Sequence, residues 1–355
     1  MNLPNSFDHK GANMAIILDA MGSDTHPDPE IEAAVAAAQQ FGEEIILVGQ
    51  EELLRAKLQA ANPQKAPVRI VHAPDVLEMS DKAVADSQKK PNNSMAVGMQ
   101  LVKKGEGRTF VTAGNTGGVM FNALRAGSLG RIKGVLRPAL TQPFPTRTGK
   151  CVVVDIGANA ECRPEFLLQF ALMGSLYAEH VLKIQRPRVG LLANGEEKGK
   201  GNQLVKDTYP LLEKSGLNFI GNIEGKELFG GQVDVAVTDG FTGNVMLKSV
   251  EAVSSLIADV LKAEIMASPL TKLGGLLVKP AFRKLKRMTS AEEIGATLLL
   301  GIDGLVFVGH GRSNARALVS AIRLARETAD TRLLETLRDG MQQQLHQVET
   351  ASKAA

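Results

Sequence analysis

Six short stretches hold the side chains best suited to chemistry, and each one directly follows an apolar run. They are Asp19-Ala-Met-Gly22-Ser-Asp24, Gly114-Asn115-Thr116-Gly117-Gly118, Gly157-Ala-Asn159, Asn194-Gly-Glu196-Glu197-Lys-Gly-Lys200-Gly-Asn202, Asp239-Gly-Phe-Thr-Gly243-Asn244 and Gly309-His310-Gly311-Arg312-Ser313. All six combine glycine, which lets backbone approach a ligand closely, with carboxamides, carboxylates, lysine or histidine. Exposed backbone N–H groups and neutral amides beside a few cations suit a small oxyanion such as inorganic phosphate. The same donors could hold the oxyanion that forms at a reacting carbonyl. Taken singly, each stretch reads better as turn chemistry or a helix cap, and it is the six together that point to a site.

Other chemistries lack their signatures. No Gly-x-Gly-x-x-Gly follows the first apolar run, no Gly-x-x-x-x-Gly-Lys-Ser/Thr is present, and there is no Gly-x-Ser-x-Gly elbow. The two cysteines carry no metal-ligand spacing and suit a reducing cytosol. Tryptophan is absent and only two tyrosines occur, which argues against a base-stacking surface. A net charge of +3 over 355 residues gives no reason to expect a nucleic-acid partner. No apolar run reaches the length needed to span a bilayer, so the expectation is a cytoplasmic protein.

The elements that must position these stretches follow from hydrophobic periodicity. Apolar runs at 15–18, 45–49, 68–72, 109–113, 151–156, 189–193, 233–238 and 304–308 read as strands. Helical patterns such as 31–41, 94–103, 166–182 and 204–214 separate them. Strand and helix in alternation predict an α/β fold, a three-layer α/β/α unit around a mostly parallel sheet. In such a sheet the six stretches lie together at one edge, where ligands bind. A single domain is expected over 14–348, with a disordered extension at 1–13 and a frayed tail at 349–355. The strand–helix rhythm breaks at 244–293, which reads as a projecting helical hairpin. Its tip, 268–290, carries Leu270, Leu273, Leu276, Leu277 and Val278 beside Lys272, Lys279, Arg283, Lys284, Lys286 and Arg287, with no acidic residue. That is an interfacial amphipathic pattern, suited to peripheral contact with an anionic membrane.

In this order along the chain, Asp19-Ala-Met-Gly-x-Asp24, Ser94-Met95, Ala113-Gly-Asn-Thr-Gly117, Gly134-x-x-Arg137-Pro138-Ala139, Asp155-x-Gly-Ala-Asn159, Glu196-Glu-x-Gly-Lys200-Gly-Asn202, Gly221-Asn-Ile-Glu-Gly225, Asp239-Gly-Phe-x-Gly-Asn244 and His310-Gly311 make up a set. From about residue 14 to about 326 the chain resembles the bacterial phosphate acyltransferases of the PlsX type. That resemblance implies transfer of a fatty acyl group from acyl carrier protein to inorganic phosphate, for phospholipid synthesis, without cofactor or metal. It also implies a fold like that of phosphate acetyltransferases and isopropylmalate dehydrogenases, a homodimer, and hand-over of product to a membrane glycerol-3-phosphate acyltransferase. The family usually has Cys-His-Gly-Ser-Ser where this chain has Gly309-His310-Gly311-Arg312-Ser313, and Gly-Gly-Ala-Pro where it has Ile294-Gly-Ala-Thr297.

On this reading Lys200 binds phosphate and neutralises its charge, and Asn244 donates to phosphate or to the carbonyl oxygen. Asp239 orients Lys200 or accepts a phosphate proton, and His310 does general acid–base work. Asp19, Gly22, Asn115, Thr116, Gly117, Asn159, Glu196, Glu197, Asn202 and Gly243 complete the substrate site. Cys162 is read as structural, because Glu161 beside it disfavours a thiolate. Carrier docking is expected on Arg131, Lys133, Arg137, Lys89 and Lys90, since the carrier is acidic. Three other readings stay open: a short-chain acyl-CoA phosphate acyltransferase, a dehydrogenase of the isopropylmalate type, and a non-catalytic carrier-binding module.

Overall fold

The structure, a computed structural model, describes residues 15–289 and 291–354, with side chains described outside 281–291 and 345–354. The extension expected at 1–13 lies outside the described residues. Eleven strands form one sheet: β1 (Ala15–Asp19), β2 (Ile45–Gly49), β3 (Val68–His72), β4 (Gly107–Thr112), β5 (Ala139–Pro145), β6 (Lys150–Val154), β7 (Val189–Leu192), β8 (Phe219–Ile223), β9 (Val235–Val237), β10 (Thr297–Leu300) and β11 (Leu305–Val308). Their order across the sheet is β3-β2-β1-β4-β11-β10-β5-β6-β9-β7-β8.

Helices cover both faces. On one face lie α1 (Asp28–Phe41) and α2 (Glu51–Ala61), and on the other α3 (Ala83–Lys89), α4 (Ser94–Lys103) and α5 (Thr116–Leu124). The chain then returns to the first face with α6 (Pro164–His180) and α7 (Gln203–Glu213), and to the second with α8 (Gly225–Gly230) and the start of α9 (Gly240–Met266). The helix α10 (Pro269–Thr289) packs back on α9, and the short α11 (Ala291–Ile294) leads into β10. Finally α12 (Ala315–Ala329) and α13 (Leu333–Ala354) close the first face, with α13 running through the segment read as tail. Alternate strand residues feed the two cores: Ile16 and Leu18 point to one, Ile17 to the other. Each such fully buried aliphatic side chain contributes about 1.5–3 kcal/mol.

Three strands escaped the reading of the sequence, and two of them decide the architecture. The sheet is mostly parallel, as expected, but β10 runs antiparallel to both β11 and β5, and β5 runs antiparallel to β6. The half containing β6, β9, β7 and β8 therefore points opposite to the half containing β2, β1, β4 and β11. The expected single edge of carboxyl ends is thus corrected to two opposed sets. Register brings the two sets to one level. Leu298 pairs with Phe307 on one side and Thr141 on the other, and Thr141 pairs with Val154. The last residue of β6 is therefore level with the end of β11, and the two halves meet across a step in the sheet.

Proline marks that step. Pro143 and Pro145 belong to β5, where they pair with Val152 and Lys150 of β6. The pairing of β5 with β10 stops at Thr141, so both prolines stand where the strand has an open side. A missing N–H costs nothing there. The same two prolines disguise the segment as a loop in the sequence.

Candidate active site

The loop after β6 is built on one carboxylate. Asp155 is fully buried, and its Oδ1 accepts from the backbone N–H groups of Leu140, Gly157 and Ala158 at 3.0, 3.1 and 2.9 Å. Its Oδ2 accepts from Asn159 N and Asn159 Nδ2 at 2.8 and 2.9 Å. Burial pushes the Asp155 carboxyl up from its ordinary range, and these N–H donors oppose the shift. Asn159 also donates to Pro138 O at 2.7 Å, tying the loop to the entry of β5.

The first turn of α9 rests on this loop with no space between them. A Cβ on Gly243 would lie 1.9 Å from Asp155 O, and one on Gly240 would lie 2.7 Å from Asn159 O. Asp239 caps the helix: Oδ1 accepts from Thr242 N and Oδ2 from Thr242 Oγ1, each at 2.8 Å. Among the described residues Asp239 makes no ion pair with Lys200, and each of its oxygens accepts one hydrogen bond within the cap.

From that fixed start, α9 presents Asn244, Leu247, Lys248 and Glu251 at helical spacing to a cleft of about 160 Å³. Thr116, Gln142 and His310 line the same cleft from the other side. Thr116 is the first residue of α5, where unpaired backbone N–H groups favour an anion. Asn244 Nδ2 donates to Ile156 O at 3.3 Å. Across the cleft, His310 Nε2 stands 3.3 Å from Glu251 Oε1, and Lys248 Nζ stands 2.9 Å from Glu251 Oε2. His310 first, and Lys248 after it, hold the Glu251 carboxyl down at about 2 against burial, which raises it. Glu251 and Lys248 went unnoticed in the sequence. Their signal was present as positions four and seven residues beyond Asn244, hidden inside a helix judged by its apolar residues.

The other expected site residues divide into supports and a separate loop. Asp19 is fully buried at the end of β1, where Oδ1 accepts from Met21 N at 3.0 Å and Oδ2 from Thr112 Oγ1 at 2.6 Å. Burial raises its carboxyl, and Ser94, Thr112 and Met21 counteract this. Gly22 is required there, since a Cβ would meet Asp19 Oδ2, Gly114 N and Thr112 Oγ1, each at 2.9 Å. Asn115 caps α5 through Gly118 N at 3.0 Å and donates to Met79 O and Asp81 O at 3.1 Å, so its amide nitrogen faces the 79–81 loop. Gly117 is exposed in the same turn.

The loop after β7 does not line the cleft. Lys200 is exposed and, among the described residues, forms no ion pair. The Glu197 carbonyl accepts from Lys200 N and Asn222 Nδ2, each at 2.9 Å, and Asn202 caps α7 through Val205 N at 3.0 Å. Glu196 pairs with Lys226 at 2.5 Å, which lowers its carboxyl. Cys162 agrees in direction with the sequence reading but not in cause. Burial first, and Asp155 second, push its thiol up to about 12.

Two opposed α/β halves meeting across a step define the class. The chain is similar to a phosphotransacetylase from Streptococcus pyogenes, with a TM-score of 0.60 over 90% of this chain and 95% of that one, at 16% identity. A branched-chain phosphotransacylase from Enterococcus faecalis V583 matches with a TM-score of 0.55 over 90% and 99%, at 11% identity. These are likenesses of fold. Sequence goes further. A family described as "Fatty acid synthesis protein" matches residues 14–336. The phosphate acyltransferase of Pelotomaculum thermopropionicum is 46% identical over 93% of this chain and 95% of its own length. That of Elusimicrobium minutum is 45% identical over 90% and 93%. The chain belongs to this family and is an acyltransferase.

Proposed function

We propose that this acyltransferase moves a fatty acyl group from the thioester of acyl carrier protein to inorganic phosphate, releasing an acyl phosphate for phospholipid synthesis. The observation that carries the reading is the convergence of Thr116, Asn244 and His310 on one cleft in a member of this family. The chemistry asks for position more than for acid. Phosphate is already a competent oxygen nucleophile at neutral pH, and a thiol of pKa about 8.5 leaves as thiolate without strong assistance. Holding the two reactants together supplies on the order of 7 kcal/mol. The helix start at Thr116 and the Asn244 amide supply donors, and we assign phosphate charge neutralisation to Lys200, exposed on the loop after β7. Asp155, Asn159, Asp239 and Gly243 fix the origin of α9, and Asp19 and Gly22 support the loop behind Thr116. A thiol pushed up to about 12 makes Cys162 a poor acyl acceptor, which favours direct attack by phosphate.

The partners follow from the surface. Arg131, Lys133 and Arg137 line an open cavity of about 570 Å³ with Leu124 and Leu136, and we assign it to the acidic carrier. Lys89 and Lys90 suit that role less, being paired with Asp86 and Asp81. Val253, Ile257 and Val260 of α9 are half exposed and face outward in one chain, as a homodimer would require. At the hairpin, Leu270 and Leu277 are 79% and 81% exposed, and we assign this tip to reversible membrane contact beside a glycerol-3-phosphate acyltransferase. No helix of the described residues is long and apolar enough to cross a membrane. The side chains of Arg283, Lys284, Lys286 and Arg287 lie outside those described.

The test is turnover with purified acyl carrier protein thioester and labelled phosphate, separating the acyl phosphate formed from free phosphate by solvent extraction. Label in the extracted acyl phosphate with the carrier donor, and little label in acyl phosphate with acetyl- or butyryl-CoA, is the expected result. Preference for the short acyl-CoA donors would overturn the carrier assignment, and carrier binding without any acyl phosphate would overturn the reaction.

A further inference from the structure

We infer that Glu251 is a positioning residue that holds the His310 ring for proton transfer in the cleft. The inference rests on the phosphate acyl-transfer reading and adds a residue and a geometry to it. His310 follows β11 in one half of the sheet, and Glu251 lies about three turns along α9 in the other, so their 3.3 Å contact spans the cleft. Both line the same space as Thr116 and Asn244.

The contact favours one assignment of the ring nitrogens. A carboxylate accepts only, so in the tautomer that suits this 3.3 Å contact Nε2 carries the hydrogen towards Glu251 Oε1, and the ring offers Nδ1 as its acceptor. Among the described residues Nδ1 of His310 has no hydrogen-bond partner, which leaves it open to a reactant. Glu251 itself stays ionised at neutral pH, its carboxyl lying near 2 through the His310 hydrogen bond and Lys248. Lys248 on Oε2 at 2.9 Å has a second consequence. It balances the carboxylate, so the pair does not repel a phosphate dianion entering the cleft.

The step balances without an added reagent. A phosphate oxygen forms a bond to the thioester carbonyl carbon while its proton passes to Nδ1. The tetrahedral intermediate then collapses, the carbon–sulfur bond breaks, and its electron pair leaves on sulfur. The sulfur takes the proton back from Nδ1, giving acyl phosphate and free thiol. A ring free to rotate would present the wrong nitrogen for part of each cycle, and kcat would fall even though phosphate binds as before.

The experiment compares wild type, Glu251→Ala, Glu251→Asp, His310→Ala and the double alanine variant by steady-state kinetics and by ¹⁵N spectra of the His310 ring. Glu251→Ala is expected to lower kcat by about 10-fold or more, as part of the 10²–10⁴-fold that a positioned acid–base group supplies. The KM for phosphate should not rise, and Glu251→Asp should recover part of kcat. The double variant should be no worse than His310→Ala alone, as for two residues acting as one unit. In the spectra the Nε2–H tautomer of the wild type should give way to a mixture in Glu251→Ala. A Glu251→Ala kcat within 2-fold of wild type, or a fallen kcat with the tautomer unchanged, would overturn the assignment. If the wild type itself makes no acyl phosphate from any thioester, the functional reading fails, whereas the ring-nitrogen spectra still decide whether Glu251 sets the tautomer.

Discussion

Replacing Gly243 with alanine probes the joint between α9 and the loop after β6. In an unconstrained helix the substitution would stabilise by about 1 kcal/mol, because alanine has the higher helix propensity. Here the added Cβ would lie 1.9 Å from Asp155 O and 3.0 Å from the Asp155 carbonyl carbon and Ile156 Cα. Carbon–oxygen contacts need about 3.3 Å, so helix and loop must separate by more than about 1 Å. The obstacle is backbone on both sides, and Asp155 is held by five N–H donors, so neither side yields cheaply. Overpacking of this kind costs about 1–3 kcal/mol. The helix also carries Asn244, Lys248 and Glu251 into the cleft, and a misplacement of about 1 Å can cost on the order of 10² in rate. We expect Gly243→Ala to lose about 1–3 kcal/mol in urea unfolding and about 100-fold in acyl phosphate formation. Gly274→Ala is the control. It sits in α10 with nothing within 4 Å of its added Cβ, and should be neutral or slightly stabilising with full activity. A Gly243→Ala enzyme with wild-type unfolding midpoint and turnover would refute the idea that this contact sets the cleft.

Three further outcomes are expected. Lys200→Ala should cost about 2–4 kcal/mol of transition-state stabilisation while leaving the unfolding midpoint unchanged, since the side chain is exposed and makes no ion pair among the described residues; wild-type kinetics at low and saturating phosphate would remove it from the site. Glu30 is buried, with Oε1 on Ser23 N at 3.0 Å and Oε2 unpartnered, and burial raises its carboxyl from 4.5 to about 7. A folded pKa above the unfolded one gives stability that is complete below about 4.5 and is lost as pH rises through about 7, so Glu30→Gln should flatten that slope and be about 1–3 kcal/mol more stable than wild type at pH 8; parallel stability–pH curves for the two proteins would contradict it. Leu276 and Leu277, 65% and 81% exposed, should both be needed for co-sedimentation with anionic vesicles at low salt, and their joint replacement by Gln should abolish it without changing solution turnover; a wild type that stays in the supernatant, or a variant that changes oligomeric state instead, would assign the tip to structure.

Much of this molecule could be read along the chain, because the relevant physics is local. An apolar run such as Ile-Ile-Leu-Val at 45–48 makes a buried strand in almost any surroundings, and β2 lies where the pattern puts it. The long strandless interval after Asn244 became α9 and α10, since its periodicity is helical and its ends carry caps and proline. The six glycine-rich stretches were correctly found as strand ends for the same reason. Turn chemistry is written in neighbouring residues. The roles of their polar side chains were less legible. Asn115, Asn202 and Asp239 each had two uses open to them, ligand or cap, and the hydrogen bond to a backbone N–H three residues on marks each of them as a cap.

What the tertiary structure alone decided was how those strand ends meet. The amino-acid pattern established that there would be a mostly parallel sheet, which strands would be buried, and where loops would be rich in glycine and polar groups. It could not give direction or register across the sheet, because these depend on which strands share hydrogen bonds, and partners such as Leu298 and Thr141 lie far apart in the chain. Two short segments, one interrupted by prolines and one only four residues long, reverse the second half of the sheet and set its height against the first. That reversal is why His310 faces Glu251 across a cleft. Each belongs to an element that was predictable, but their distance of 3.3 Å is a property of the stagger between two halves that no local sequence encodes.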